Sequence, residues 1–187
     1  MARRGTVAVV GSLHQDLHLQ VGHLPDPGET VVADRWHRGP GGKGANQAVA
    51  CAAGGATTVM LGAVGQDLAG EAVLSALRGA GVDVAVVDRL AGRETSTAVV
   101  VVDDDGVNSI LVAPDASGAL PPAVVTSHLD AVPALRVVLT QAEVPPSVVT
   151  AAAVGAATSG ARLVHNLAPY RPVEEVLLAQ CDPLVVN

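Results

Sequence analysis

RVVLTQAEVPPSVVTAAAVGAATSGARLVH, Arg136–His165, is the stretch that decides the fold. Arg136–Thr140 is a short apolar run of the kind that forms a buried strand. Pro146–Ala157 reads as a helix, with Pro145-Pro146 at its start and Ser159-Gly160 just beyond it. Arg162–His165 is a strand again. Strand, helix and strand in so short a span predict a parallel sheet with right-handed crossovers. The alternation continues on both sides, as a helix at Pro121–Ala131, another at Val173–Ala179 and a strand at Leu184–Val186. Nearer the N-terminus, TVAVVG (Thr6–Gly11) predicts a buried strand and Gly42–Ala53 an alanine-rich helix. Thr57–Val64 predicts a strand, Leu68–Ala80 an amphipathic helix and Val82–Val87 a further strand. Two pieces interrupt this pattern. Asp16–Val21 and Thr30–His37 are half-exposed strands joined through Pro25-Asp26-Pro27-Gly28, and Thr95–Val102 and Val107–Ala113 flank a turn at Asp103–Gly106. The expected fold is α/β, a mostly parallel central sheet flanked by helices with two small hairpin-like insertions.

Composition narrows the function. In 187 residues, 11 Lys+Arg stand against 18 Asp+Glu, a net charge of −7 with one lysine, Lys43. That leaves no basic footprint for nucleic acid. Two cysteines, Cys51 and Cys181, are too few for a disulfide framework, and no secretory signal precedes the first strand, so a cytoplasmic location is expected. The uncharged windows Gly44–Gln66 and Val144–Ala161 read as helix plus turn rather than ~20 unbroken apolar residues, so no membrane span is expected. With no Phe, one Trp and one Tyr, the core must be layers of Ala, Val and Leu. Asp103–Asp105 is read as a solvated turn rather than a metal site.

The chemistry concentrates in GPGGKGAN, Gly39–Asn46. A Walker A loop fails, because His37 stands where its first glycine belongs and Gly44 follows the lysine. A dinucleotide fingerprint is present in letters at Gly39, Gly41 and Gly44, but the polar stretch Ala33–Arg38 is not the buried strand it requires. The segment reads instead as a loop for a small polar ligand at a helix start. Gly41 and Gly42 permit close approach of backbone N–H groups, Lys43 supplies a cation, and Asn46 offers both a donor and an acceptor. A plain tight helix entry with a solvated lysine competes at even weight on this segment alone.

GGKGANQAVA (Gly41–Ala50), with Gly55 and Gly65 at the expected spacing, resembles the ribokinase-type hallmark of the PfkB carbohydrate-kinase family. Gly11-Ser12 followed by Asp16, then Pro27-Gly28-Glu29-Thr30, the GxDxxG-like run Gly65–Gly70 and Gln141-Ala142-Glu143-Val144-Pro145 extend the likeness over essentially the whole chain. The resemblance implies a ribokinase-like fold. It also implies an ATP-dependent transfer of phosphate to a primary hydroxyl of a pentose, ribose first, with Mg2+, ATP and a monovalent cation such as K+. Asp16, Gly41, Gly42, Lys43, Asn46 and Glu143 match sugar-holding positions. His14 stands where ribokinase-type enzymes carry Asn, which puts ribose itself in question. The hairpin pieces, about 16–38 and 95–113, match a β-lid that covers the sugar and joins two subunits as a homodimer. His14, Asp16 and His18 would share one face of a strand, a weaker rival reading as a metal site.

The family's GAGD-type stretch, which carries the base, does not occur among these residues, and Asn187 is the first letter of its NxxE motif, on the nucleotide side. The sequence therefore reads as the N-terminal portion of one such domain, 1–187. On that reading the C-terminal nucleotide-binding part is missing, no catalytic base lies within the chain, and no activity is expected from it alone. Alternatives are another PfkB-family sugar or nucleoside kinase, or a short sugar-binding or dimerising module.

Overall fold

The computed structural model describes residues 5–186. Its main sheet is entirely parallel, in the order β11-β10-β9-β1-β4. These are β1 (Thr6–Val10), β4 (Thr57–Leu61), β9 (Leu135–Gln141), β10 (Arg162–Asn166) and β11 (Cys181–Val185). Helices cover both faces, so the inner strands are apolar on each side. Ala8, Val10, Leu61 and Val138 face α3 (Pro122–Ala131) and α4 (Pro146–Ser159), packing on Val125, Leu129, Val148 and Ala152. Val9 and Met60, one residue out of phase, face α1 (Lys43–Ala53) and α2 (Leu68–Gly79), meeting Ala48, Val73, Leu74 and Leu77.

Small residues let these layers approach closely. A Cβ on Gly155 of α4 would lie 2.6 Å from Leu129 Cδ1 of α3, so the helices cross with a glycine under a leucine. Leu129 is 1% exposed, and burying a leucine contributes about 1.5–3 kcal/mol. The core contains no aromatic side chain among its buried hydrophobic residues, as the composition required.

A second, four-stranded sheet has the order β3-β2-β7-β8. β2 (His14–Gln20) pairs antiparallel with β3 (Arg35–Gly41) and parallel with β7 (Ser96–Val102), which pairs antiparallel with β8 (Asn108–Ala113). The two inserted pieces of the sequence thus join into one sheet. The β7–β8 turn is held by Asp103, whose Oδ1 accepts from Asp105 and Val107 N–H. A short 3-10 turn, Ala116–Ala119, ties this sheet to the end of β1: Ser117 Oγ accepts from Leu13 N–H and donates to the Leu13 carbonyl.

Four expectations are corrected. Val82–Val87 is not a strand, because Val82, Val84 and Val87 are buried from a turn beneath α2 and only Asp83 forms a bridge, to Val59. The strand follows instead as β6 (Asp88–Leu90), paired with β5 (Ala63–Gly65) in a small parallel sheet. Thr57–Val64 is divided at Gly62, where a Cβ would press to 2.7 Å from the Gly11 carbonyl. β3 starts only at Arg35 and runs on through Pro40, which an edge strand tolerates. The helix expected at Val173–Ala179 shrinks to α5 (Glu175–Leu178), behind Pro172.

Asp67 fastens the start of α2 to the second sheet. As N-cap of α2 it accepts from Gly70 N–H at 2.7 Å, and it also accepts the N–H (2.7 Å) and hydroxyl (2.6 Å) of Thr95, just before β7. Asp67→Ala should therefore cost about 2–4 kcal/mol, a cap plus two charge-assisted hydrogen bonds, read as a lower urea midpoint. A loss confined to a few tenths of a kcal/mol would show that Asp67 is not the fastening.

Candidate functional site

The site lies where the parallel sheet changes direction. From β1 the chain goes through α1 to β4 on one side, and from β9 through α4 to β10 on the other. There the carboxyl ends of β1 and β9 lie side by side, at the switch-point crevice where open α/β sheets usually take their ligands. Gly11-Ser12 leaves β1 on one side of it, and Gln141-Ala142-Glu143 leaves β9 on the other. The start of α1 closes the end.

Glu143 draws these pieces together. Its Oε2 accepts from Ser12 Oγ at 2.6 Å and from Lys43 N–H at 2.8 Å, while Oε1 pairs with Lys43 Nζ at 2.7 Å. Burial works against its charge, but the hydrogen bonds from Lys43 and Ser12 outweigh it and hold the carboxyl below its ordinary value. Gly42, the N-cap of α1, takes φ +88°, a conformation that glycine adopts without strain, and a Cβ there would meet the Ser12 carbonyl at 2.9 Å.

The second sheet brings the other two predicted side chains to the same place. His14 pairs with Gly41 and Asp16 with Gly39 across β2 and β3. The Asp16 carboxylate fills the space a side chain at Gly41 would need, since a Cβ there would fall 2.0 Å from Asp16 Oδ2. Asp16 Oδ1 and His14 Nε2 are buried and have no hydrogen-bond partner within the chain. Burial raises the Asp16 pKa, opposed by His14 and His18, and burial lowers that of His14 against the pull of Glu143 and Asp16, which favours the neutral imidazole. Asn46 lies one turn into α1 with its side chain exposed. His14, Asp16, Gly41, Gly42, Lys43 and Glu143 thus gather around one crevice, with Asn46 at its margin. Asn187 lies outside the described residues. His18 stacks on His37 with ring centroids 4.6 Å apart. Among the described residues no three His, Cys, Asp or Glu side chains cluster closely enough to hold a metal ion.

Two polar residues carried no role in the sequence reading. Ser12 sits beneath Glu143, and Gln141 donates through Nε2 to Gln47 Oε1 at 2.7 Å, one helical turn beyond the Lys43–Glu143 pair. Gln141 is fully buried, its amide lying where a side chain on Gly11 would be. The signal for both was present in the strand-end dipeptide Gly11-Ser12 and in QAEVP, but neither residue shows its partner in sequence.

Fold and candidate site define the class: an α/β protein with a cluster of polar side chains at the switch point of its sheet, beside a small second sheet. The family profile described as "pfkB family carbohydrate kinase" matches residues 4–187, and the chain belongs to that family. It is 34% identical over 181 residues to a ribokinase of Bacillus subtilis, covering 97% of this chain and 61% of that protein. To a deoxyribokinase of Salmonella typhi it is 30% identical over 182 residues, covering 97% and 60%. The structure of an Arabidopsis thaliana ribokinase complexed with ribose and ATP superposes with a TM-score of 0.83 at 29% identity, over 98% of this chain and 60% of that one. The ribokinase-like fold expected from the sequence is thereby established. This chain spans about three fifths of the length of these relatives. Among the described residues no helix is long and apolar enough to cross a membrane.

The depressed pKa of Glu143 fixes a pH signature. A carboxyl lowered on folding stabilises the fold fully above its ordinary value of 4.5, and the contribution is lost as pH falls through the depressed value. At neutral pH, Glu143→Gln should be less stable than the parent by about 1–3 kcal/mol, a gap that closes in acid below that range. A gap independent of pH, measured by urea unfolding, would show that the carboxylate charge is not what matters.

Proposed function

We propose that this chain forms the acceptor-sugar site of a ribokinase-like kinase, which moves the γ-phosphate of ATP to a primary hydroxyl of a pentose. The observation that carries this reading is the pair of buried, unpartnered polar atoms, Asp16 Oδ1 and His14 Nε2, beside the glycines of Gly41–Gly42. An unpaired buried acceptor is costly, and vicinal sugar hydroxyls supply the donors it lacks. Lys43 and Asn46 offer donors in return. Ribose leads the acceptors, as a ribokinase complexed with ribose and ATP shares the fold. His14 in place of Asn, together with a deoxyribokinase among the relatives, favours testing other pentoses beside it.

The second sheet would act as the lid. It carries Asp16 and His14 on β2, so closing it over the crevice would deliver the carboxylate and exclude water from the transferred phosphate. Mg2+ would neutralise charge on the ATP phosphates, but the described residues do not fit a Mg2+ site of their own. Their part is to bind and orient the acceptor. We place the base, the nucleotide contacts that Asn187 would begin, and any K+ site with the remainder of such an enzyme, in the cytoplasm. β8 is an edge strand with Ile110, Leu111 and Val112 exposed, and Trp36 is exposed on β3, which supports pairing of two lids in a homodimer.

Isothermal titration of the purified chain with ribose, 2-deoxyribose and adenosine tests the acceptor. A pentose should bind, and Asp16→Asn or Gly41→Ala should weaken it by about tenfold or more, the first by loss of the anionic acceptor and the second by displacing it. Binding of adenosine but of neither pentose would move the reading to a nucleoside kinase, and robust ATP-dependent turnover by this chain alone would contradict the placement of the base. Light scattering should give a dimer that Leu111→Asp converts to monomer; a monomeric parent would remove the lid-pairing proposal.

A further inference from the structure

At His14 the chain departs from the ribokinase-type pattern, which carries Asn. An amide has one charge state, whereas an imidazole gains a proton within the ordinary working range of pH. His14 opens β2 between Gly41 of β3 and Ser96 of β7 and is 2% exposed. Its Nε2 is buried and has no hydrogen-bond partner within the chain. The charged groups that face it come from three elements: Asp16 on β2, Lys43 at the start of α1 and Glu143 after β9. Lys43 and Glu143 are paired with each other at 2.7 Å. Asp16 is the charge left over, with Oδ1 unpartnered. Its carboxylate leans over Gly41, the cross-strand partner of His14, since a Cβ on Gly41 would fall 2.0 Å from Asp16 Oδ2. His14 and Asp16, two residues apart, share one face of β2.

We propose that His14 makes acceptor binding proton-linked: the neutral imidazole admits the sugar, and the imidazolium closes the site by pairing with Asp16. This deepens the acceptor-sugar reading, by naming a regulation of that site, and rests on it. With the ring neutral, the free oxygen of Asp16 is open to a sugar hydroxyl. Protonation makes both ring nitrogens donors, and the carboxylate then accepts a charge-assisted hydrogen bond for which a neutral hydroxyl must compete. A bound sugar also displaces water from around the ring, which disfavours its charged form. The two effects have the same sign, so sugar binding expels the proton. Burial already acts in this direction in the free chain: it is the largest influence on His14 and, with Lys43, outweighs the pull of Glu143 and Asp16. The His14 pKa therefore lies below its ordinary 6.5, and sugar affinity is complete at neutral pH and lost as pH falls through the lowered value. Acid also acts on Asp16, whose pKa burial raises, so the part owed to His14 is the part that leaves with the imidazole.

The test is titration calorimetry of the 187-residue chain with D-ribose at about pH 7.5 and about pH 5.5, each in two buffers of different ionisation enthalpy. The parent should lose about tenfold in affinity between the two, and at the lower pH binding should release protons to the buffer. His14→Asn, which restores the amide of the ribokinase-type pattern, should lose no more than about threefold over the same range and release fewer protons. Ring signals followed by NMR supply a second readout, in which ribose should shift the protonation of His14 to lower pH. A parent and a His14→Asn variant with the same pH profile overturn the inference and leave the sugar site standing. Should His14→Asn fail to fold, the NMR titration decides, since a His14 ring whose protonation ribose does not move overturns the inference equally. No binding of ribose at either pH removes the acceptor on which the inference rests, and the inference with it.

Discussion

One carboxylate, that of Glu143, holds the functional end of this molecule together. Ser12, Lys43 and Glu143 are far apart in sequence, and each leaves a different element: the end of β1, the start of α1 and the end of β9. The parallel sheet brings the two strand ends side by side, but nothing in sheet geometry alone sets how deeply α1 sits between them. That depth follows from the helix's need for acceptors. Three N–H groups of its first turn require partners, Gly42 supplies none, and Glu143 and Ser12 do. The glycines at this helix start therefore have two tasks that cannot be separated: they shape a ligand loop, and they leave the helix dependent on a distant carboxylate.

The same constraint explains the composition. A helix that docks its N-terminus on two strand ends must lie close to the sheet, and α1 does so with Ala45 and Ala48 buried beneath it. On the other face α4 presents Ala152, Ala153, Gly155 and Ala156. Bulky rings would hold these layers apart and lift the strand ends out of reach of the helix start. Packing of this kind gives up the large burial of an aromatic side chain and recovers it through close contact between many small ones.

Much of this was legible in the sequence, and the failures have physical causes. The strand–helix alternation over Arg136–His165 could be read directly, because apolar strands buried on both faces and an intervening helix leave distinct patterns. Val82–Val87 misled for a simple reason: a turn that buries three valines under a helix carries the same letters as a strand. The break at Gly62 and the run of β3 through Pro40 depend on neighbours, one on the approach of Gly11 and the other on an edge position, which no local pattern contains. In the site, Gly41, Gly42 and Lys43 stood out by their own chemistry in the glycine-rich segment, while Asp16 and Glu143 were marked by the family resemblance. The parts played by Ser12 and Gln141 did not stand out, since a serine or a glutamine gains its meaning only from what lies across from it.

The two carboxylates of the crevice have opposite situations, and the contrast divides their labour. Glu143 is saturated by donors from its own chain and ionises more readily than usual. Asp16 is buried with an oxygen unpartnered and ionises less readily. A saturated carboxylate gains little from a ligand and loses much if moved, so it serves as framework. An unsatisfied one carries a penalty that a hydroxyl donor relieves, so it is where binding energy is gained. Glu143 follows β9 of the parallel sheet, and Asp16 lies on β2 of the smaller one. Framework and recognition are thus assigned to different layers, which meet where β3 runs straight into Gly42, the N-cap of α1.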